Sequence, residues 1–287
     1  MFQGVKMAFV GGGTMAEAII KVILDKELVV PQDVEVGEPR QDRLGELSAR
    51  YGIAVTADNV AVVRSKDIVL LAVKPQVMPV VLDQLQGQIP PKALVISIAA
   101  GVPVAKIVNG LGHEAVVRVM PNTPAQIGEA MSVWIAAPAV TEMQRNQAQA
   151  ILQAMGQEIQ VHGEEFLDMA TAVSGTGPVY VFLMMEAMVD AAVHLGFSRR
   201  DATKMVIQTV LGSVLFAQQS DKHLAELRNM VTSPGGTSAD AIYQLDKGAM
   251  RTVLSKAIWA AYQKSRLLAQ MVPAANGPER PGLSGQS

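Results

Sequence analysis

A glycine-rich motif close to the start of the sequence is the clearest candidate for binding chemistry. Gly11, Gly13 and Ala16 match the pattern Gly-x-Gly-x-x-Gly/Ala, directly after an apolar run and at the start of a segment with helical spacing. Glycines at these positions permit a tight turn and let backbone N–H groups approach a pyrophosphate, whose charge a helix N-terminus stabilises. The motif predicts a bound dinucleotide, and an ordinary glycine turn is the alternative.

The end of the second predicted strand bears on which dinucleotide would bind. Glu38 could accept hydrogen bonds from the ribose hydroxyls of NAD, whereas Arg40 could accommodate the 2′-phosphate of NADP. Glu38 lies about 25 residues after Gly13, which is somewhat late for the acid of an NAD site. We therefore predict NADPH, with NADH as the alternative, and two solvated charges as the explanation without a ligand.

Two segments rich in glycine and hydroxyl groups lie in the second half of the chain. Residues 232–238 precede a predicted helix, and a glycine pair before a helix N-terminus exposes N–H donors that could hold an anion. Thr237 and Ser238 could either cap that helix or face the ligand. Residues 174–178 could form the opposite wall of the pocket. A plain turn between helices is the alternative for both segments.

The sequence offers no evident catalytic base. An enzyme that oxidises an alcohol needs a positioned base, usually His or Lys. The four histidines, which we expect at the surface or in an interface, form no catalytic pattern: His113, His162, His194 and His223. A reductase whose substrate is an already protonated iminium needs only a hydride donor, an anion pocket and a hydrogen-bond partner for the nitrogen. The segments above offer these three.

The elements that position these motifs divide the chain into two predicted domains and a tail. Short apolar runs alternate with helical segments up to residue 162, which predicts a Rossmann-type α/β domain over 1–162 with a parallel sheet covered on both faces. The predicted strands are 5–10, 34–36, 53–55, 67–73, 93–98, 115–120, 131–136 and 158–161. Residues 163–272 predict an all-α domain, with helices over 165–173, 178–195, 199–218, 223–230 and a pair within 239–268. Residues 273–287 predict a disordered tail.

Composition limits the partners. A formal net charge of −2 gives no reason to expect nucleic acid or an anionic membrane. The absence of cysteine excludes thiolate chemistry and Cys-containing metal sites, and it fits a cytoplasmic setting; no metal is expected. Residues 174–178 interrupt the longest uncharged run, so we expect no transmembrane helix, and the N-terminus predicts no export signal. The apolar content of 49% therefore predicts a subunit interface.

The motifs together resemble the pyrroline-5-carboxylate reductase family. Six segments carry the resemblance in the family's order: the Gly11 loop with Met15, Ala16 and Glu17, then residues 72–75, 99–101, 120–124, 174–180 and 233–236. Each segment alone is a weak signal, but together they span about residues 6–268 and are highly specific.

The resemblance implies a Rossmann domain joined to a helical dimerisation domain, in a homodimer that often forms a ring of dimers. The implied reaction is hydride transfer from NAD(P)H to (S)-1-pyrroline-5-carboxylate, which gives L-proline in the last step of proline biosynthesis, without a metal. Besides Arg40, the expected cofactor residues are Gly11, Gly12, Gly13, Thr14, Met15, Asn59, Ala72, Val73, Lys74, Pro75 and Ala100.

The resemblance also implies a substrate site. The substrate carboxylate is expected on the backbone amides of Gly235, Gly236 and Thr237, with Ser174 nearby, and the hydroxyl of Ser238 is expected to hydrogen-bond the ring nitrogen. Ser238 stands where the family commonly has threonine, and Thr176 stands where a serine is common, so both hydroxyls are kept.

Two other functions compete with this interpretation. A β-hydroxyacid dehydrogenase has a similar domain layout, but it should carry a catalytic lysine on the helix predicted over 178–195, and that segment contains none. A non-catalytic dinucleotide-binding dimer is the second alternative, and the presence of both hydroxyl-glycine segments argues against it.

Overall fold

The computed structural model describes residues 2–271, which form two compact units. One unit consists of the residues up to Gly175 together with the part of the last helix from Ala261, and the other is Thr176–Ala260. The domain boundary that we predict near residue 162 falls between the last strand and the helix after it, and it remains a prediction. The tail predicted over 273–287 lies outside the described residues.

The first unit is built on an eight-stranded sheet with the order β3-β2-β1-β4-β5-β6-β7-β8. Its strands are β1 Met7–Val10, β2 Val34–Gly37, β3 Ala54–Thr56, β4 Ile68–Leu71, β5 Leu94–Ser97, β6 Val116–Met120, β7 Ala130–Ala136 and β8 Gly156–Gln160. Its helices are α1 Thr14–Asp25, α2 Gln41–Tyr51, α3 Asn59–Val63, α4 Met78–Leu85, α5 Val104–Leu111, α6 Glu142–Met155 and α7 Glu165–Ala170. The sheet is doubly wound, as the alternating pattern predicts.

One strand pair departs from the predicted parallel arrangement. β6 and β7 run antiparallel, whereas the strands from β1 to β6 pair in parallel and β8 is parallel to β7. Only a short 3-10 turn, Thr123–Ile127, lies between β6 and β7. A parallel pair needs a crossover of a dozen or more residues, which this connection is too short to provide.

The core of the first unit lies on both faces of the sheet. All residues of β1, β4 and β5 are buried. The largest fully buried side chains include Trp134, Phe9 and Met7. Strands buried on both faces need continuously apolar sequences, and this is why the apolar runs locate them so closely.

Residues 174–178 do not break the helix that precedes them. A π-helical turn, Thr171–Gly175, joins α7 to α8, Gly177–His194. The hydroxyl of Thr171 donates to the Leu167 carbonyl at 2.7 Å and that of Ser174 to the Ala170 carbonyl at 3.0 Å, so both are satisfied within the helix.

The continuity of this helix bears on the expectation that no segment spans a membrane. Among the described residues, one helical stretch, Glu165–His194, is long and apolar enough to cross a membrane by length and composition alone. Its most apolar window has a mean hydropathy of 1.3 and is 6% buried. The glycines and Pro178 do not interrupt the helix as expected, but helices of soluble proteins can have the same length and composition, so the absence of a transmembrane helix stays a prediction.

The second unit contains only helices among its described residues. After α8 come α9 Arg199–Gln218, α10 Leu224–Met230, α11 Thr237–Lys247 and α12 Met250–Met271. Ser198 caps α9 by accepting the Asp201 N–H at 3.1 Å. Val189, Ala202 and Val206 form a small core. Many large apolar side chains of α8 and α9 remain exposed.

Candidate active site

A cavity of about 740 Å³ opens in the first unit, beside the loops that follow β1, β2 and β4. Eight of the predicted cofactor residues line it: Gly11, Gly13, Thr14, Arg40, Asn59, Ala72, Val73 and Lys74. Residues that the sequence did not single out for binding also line it, among them Glu17, Asp42, Arg43, Glu46, Val77 and Val81. Ligands of open α/β sheets bind outside the carboxyl ends of the strands, and this cavity has that position.

Four predicted cofactor residues are not in the lining of this cavity: Gly12, Met15, Pro75 and Ala100. Met15 packs against the hydrophobic core of the unit. The carbonyl of Pro75 accepts the Met78 N–H at 3.2 Å and so helps to begin α4. Ala100 lies in the connection between β5 and α5. Their cofactor roles remain predictions.

The glycine loop leaves the N-terminus of α1 open. Gly11 has a φ of +98°, and its N–H donates to the Gly37 carbonyl at 2.7 Å. Gly13 is the N-cap of α1, no described side chain caps that helix, and a Cβ on Gly13 would meet no atom within 4 Å. The first amides of α1 therefore border open space that a side chain would otherwise fill. These residues fit the pyrophosphate of a dinucleotide.

Charged side chains hold both backbone polar groups of Gly12. Its N–H donates to Oε2 of Glu38 at 2.9 Å, and its carbonyl accepts Nε of Arg43 at 2.7 Å. The other oxygen of Glu38 accepts the backbone N–H of Arg40 at 3.3 Å and its Nε at 2.9 Å. Burial acts to raise the pKa of Glu38, but the hydrogen bonds from Arg40 and Gly12 outweigh it and the pKa is lowered.

A second charge network lies beneath the loop. Glu17, in the first turn of α1, accepts Arg43 at 2.5 Å and the Tyr51 hydroxyl at 3.0 Å, and it also pairs with Arg50. Burial acts to raise the pKa of Glu17, but the hydrogen bonds from Arg43 and Tyr51 outweigh it and the pKa is lowered. The two arginines thus compensate the only acid in the first turn of a helix whose N-terminus suits an anion.

The hydroxyl-glycine segment at residues 174–178 belongs to the first unit up to Gly175. The Ser174 carbonyl accepts Nδ2 of Asn122 at 3.1 Å, while Oδ1 of Asn122 accepts the Met131 N–H at 2.9 Å. A Cβ on Gly175 would lie 2.6 Å from Cε of Met120. The segment thus packs closely against the end of β6 and the start of β7. It lies in a π-helical turn, a feature often found at functional sites.

The hydroxyl-glycine segment at residues 232–238 lies in the second unit and ends in the first turn of α11. Gly235 has a φ of +70°, and the Gly236 N–H donates to the Ser233 carbonyl at 3.1 Å. Gly236 is the N-cap of α11, and no described side chain caps this helix. Thr237 and Ser238 are its first residues and do not serve as its cap. This arrangement favours the interpretation that the segment binds an anion.

The histidines contribute no catalytic arrangement in the described part of the chain. His113 is buried, contrary to the expected surface position, and its Nε2 lies 2.8 Å from the Ala93 carbonyl oxygen. His223 accepts the Ala225 N–H at 3.1 Å through Nδ1 and caps α10. Within residues 2–271, no group of three or more His, Cys, Asp or Glu side chains is arranged to hold a metal ion.

Two family models match the chain. One, described as pyrroline-5-carboxylate reductase dimerisation, matches residues 164–268. The other, described as NADP oxidoreductase, coenzyme F420-dependent, matches residues 6–101. The first match contains both hydroxyl-glycine segments, and the second contains the glycine loop.

Curated relatives and solved structures are similar over nearly the whole chain. The pyrroline-5-carboxylate reductase of Synechocystis is 39% identical over 266 residues, which cover 93% of this chain and 99% of the relative. That of Escherichia coli is 34% identical over 266 residues, which cover 92% of this chain and 98% of the relative. The structure of the Coxiella burnetii enzyme has a TM-score of 0.85 at 35% identity and covers 92% of this chain and 98% of its own. The structure of the Plasmodium falciparum enzyme, with NADP bound, has a TM-score of 0.86 at 29% identity. It covers 94% of this chain and 100% of its own.

Proposed function

The chain belongs to the pyrroline-5-carboxylate reductase family, and on that premise we propose which of its residues carry the reaction. The enzyme reduces 1-pyrroline-5-carboxylate to proline with NAD(P)H, in proline biosynthesis. The observation that carries this function is the 39% identity over 93% of the chain and 99% of the relative. NAD(P)H supplies the hydride that reduces the C=N bond, and the protein supplies binding, orientation and charge.

We propose that the cavity of the first unit holds the cofactor and that NADPH is preferred. The amides that follow Gly13 would hold the pyrophosphate. Glu38, the acid that an NAD site would direct to the ribose, is 6% exposed and already accepts three hydrogen bonds. The side chain of Arg40 is 58% exposed and lines the cavity, so it would hold the 2′-phosphate. A relative whose structure contains NADP supports this preference.

We propose that the hydroxyl-glycine segment at residues 232–238 binds the substrate. Gly235, Gly236 and Thr237 would hold the carboxylate on backbone amides, and the Ser238 hydroxyl would hydrogen-bond the ring nitrogen. No base is required, because the iminium nitrogen is protonated before reduction. Catalysis would then come from orientation and from electrostatic stabilisation of charges at fixed positions.

We further propose a homodimer that assembles into a ring of dimers in the cytoplasm, without nucleic acid or membrane as a partner. The dimerisation match over residues 164–268 supports a homo-oligomer and includes the exposed apolar side chains of α8 and α9. These two helices would be covered by a second copy of the chain. The helical stretch Glu165–His194 would then pack against protein and not against lipid.

Steady-state kinetics with NADPH and NADH test this proposal. Oxidation of either cofactor is measured with pyrroline-5-carboxylate and, separately, with a 3-oxo acid. Ser238→Ala should lower kcat/KM for the imine by roughly 10- to 100-fold, the usual effect of losing a hydrogen bond to a charged group, and should leave NADPH affinity unchanged. Ser238→Thr keeps the hydroxyl and serves as the control that retains activity. Turnover of the oxo acid alone, or unchanged kinetics in Ser238→Ala, would contradict the proposal.

A further inference from the structure

The carboxylate of Glu38 connects two parts of the cofactor cavity, the glycine loop and Arg40, to which we assign different phosphates of the cofactor. We propose that Glu38 is a positioning residue that couples the glycine loop to Arg40 and thereby sets the preference for NADPH over NADH. This inference rests on the proposed cofactor site and deepens it. It assigns a role to an acidic residue that its position in the sequence would otherwise assign to the ribose of NAD.

One oxygen of Glu38 controls the glycine loop. Oε2 accepts the Gly12 N–H at 2.9 Å in a buried hydrogen bond between residues 26 positions apart. Arg43 holds the carbonyl of the same residue at 2.7 Å, so the two successive peptide planes that meet at Gly12 are each held by a charged side chain. The next amides along the chain are those that we assign to the pyrophosphate, and their directions depend on how these two planes are oriented.

The other oxygen of Glu38 controls the direction of Arg40. Oε1 accepts both the backbone N–H and Nε of Arg40, at 3.3 Å and 2.9 Å. A guanidinium is a rigid fork with five N–H donors, so a bond through Nε does not use the four donors on its terminal nitrogens. Those donors can bind a phosphate bidentately while Glu38 keeps the fork in place. A lysine at this position could not make both contacts with one rigid group.

The same contacts withdraw Glu38 from the ribose. Its side chain is 8% exposed, and its oxygens already accept three hydrogen bonds. To accept the ribose hydroxyls of NADH it would have to release Gly12 or Arg40, and the loop or the cation would then lose its support. The arrangement thus favours the cofactor with a 2′-phosphate and disfavours the one with a free 2′-hydroxyl.

Binding constants for both cofactors in a double-mutant cycle test this coupling. The dissociation constants of NADPH and NADH are measured by isothermal titration calorimetry, without substrate, for wild type, Glu38→Gln, Arg40→Ala and the double variant. Arg40→Ala should weaken NADPH binding by roughly 10- to 100-fold and NADH binding by less than about 2-fold. Glu38→Gln places an amide NH2 against one of the N–H donors, so it should weaken both cofactors and reduce the NADPH preference by about 5-fold or more.

The decisive comparison is the effect of Glu38→Gln on the NADPH preference when residue 40 is arginine and when it is alanine. Glu38→Gln should leave the preference unchanged, within about 2-fold, once Arg40 is alanine, because no cation remains to be positioned. An unchanged preference in Glu38→Gln, or an equal change in both backgrounds, would overturn the inference. A wild-type protein that binds NADH more tightly than NADPH would contradict the proposed cofactor preference, which is a separate result.

Two matched controls remove similar charges outside the cavity. Glu35 lies on β2, three residues before Glu38, and pairs with Lys66 at 2.6 Å, and Arg64 bonds to Gln88 at 3.1 Å. Glu35→Gln and Arg64→Ala should therefore leave the preference unchanged. Thermal unfolding verifies that each variant is folded. If Glu38→Gln does not fold, Glu38→Asp replaces it, because a side chain shorter by one methylene cannot reach both Gly12 and Arg40, and the same loss of preference is expected.

Discussion

Replacing Gly11 with alanine tests whether the turn after β1 requires a residue without a side chain. Gly11 has a φ of +98°, a region that residues with a Cβ rarely adopt. A Cβ at this position would lie 2.8 Å from the carbonyl oxygen of Ala72 and 3.0 Å from Cγ1 of Val73. Ala72 cannot move away easily, because its N–H donates to the Val10 carbonyl at 2.9 Å at the end of the sheet.

The penalty for Gly11→Ala has two parts. Backbone strain at an unfavourable φ costs about 1–3 kcal/mol. Overlap with a backbone oxygen in a packed region adds about 1–3 kcal/mol. We therefore expect the free energy of unfolding to fall by about 2–6 kcal/mol, which at roughly 2–4 °C per kcal/mol lowers the unfolding midpoint by on the order of 10 °C.

Gly13→Ala is the contrasting variant in the same loop. Gly13 has a φ of −70°, which alanine adopts freely, and its added Cβ would meet no protein atom within 4 Å. Loss of glycine at an N-cap costs about 1 kcal/mol or less. The methyl group would instead occupy the space into which we place the pyrophosphate, so NADPH affinity should fall about 10-fold or more, the equivalent of one lost hydrogen bond to a charged group.

Thermal unfolding followed by circular dichroism, together with calorimetric titration of NADPH, distinguishes the two variants. Gly11→Ala should lose stability, whereas Gly13→Ala should keep its stability and lose affinity. An unfolding midpoint of Gly11→Ala within about 2 °C of wild type would refute the steric argument. Wild-type NADPH affinity in Gly13→Ala would refute the assignment of the pyrophosphate to this space.

Three further predictions concern stability and assembly. Arg118 is buried and pairs with Glu164, which also accepts the Val104 N–H at 2.6 Å, so Glu164→Gln should lower the free energy of unfolding in urea by about 2–3 kcal/mol, while the exposed neighbour substitution Glu165→Gln should have little effect. The pKa values of Glu17, Glu38 and Glu158 are all lowered in the folded protein, so the stability that these residues contribute is present above the usual glutamate pKa and is lost as the pH falls below it. The urea unfolding midpoint should therefore decline in acid, and it should decline less steeply in Glu158→Gln. An equally steep decline in that variant would contradict the link between the pKa of Glu158 and stability. Phe182 is exposed on α8, and Phe182→Asp should shift the sedimentation coefficient toward that of the monomer, whereas Lys222→Asp, in the connection after α9, should leave it unchanged.

The positions of the secondary-structure elements could be predicted from the sequence because burial leaves a direct signal in it. α9 begins and ends at the predicted residues, since its N-terminus is marked by Ser198 and its length by apolar spacing. The direction of β7 could not be predicted from its apolar run, because direction depends on the length of the preceding connection. The π-helical turn at Thr171–Gly175 was also missed, because glycine was read as a break although the hydroxyls of Thr171 and Ser174 bond within the helix.

The candidate site was predictable where the chain itself brings the residues together. The glycine loop is one continuous segment, and its position after a strand identifies it. The contacts of Arg43 with Gly12 and Glu17 join residues 31 and 26 positions apart, and they depend on how α2 packs beside α1. An arginine on a helix surface commonly pairs with a nearby acid, and the sequence places Glu46 three residues after Arg43. That pairing occurs with Glu17 and Glu46, but the contact with the Gly12 carbonyl has no counterpart in a local pattern.

Glu38 illustrates why the type and position of a residue do not by themselves identify its ligand. An acid at the end of the second strand is typical of an NAD site, and the neighbouring Arg40 is the reason that the sequence predicts NADPH with NADH as the alternative. In the folded protein the choice depends on hydrogen-bond capacity, because a buried carboxylate that accepts Gly12 and Arg40 has little capacity left for a ribose. The two residues therefore act together and do not compete, with the acid supporting the cation. We therefore expect an arginine two positions after such an acid to indicate NADP only where the acid also reaches the glycine loop.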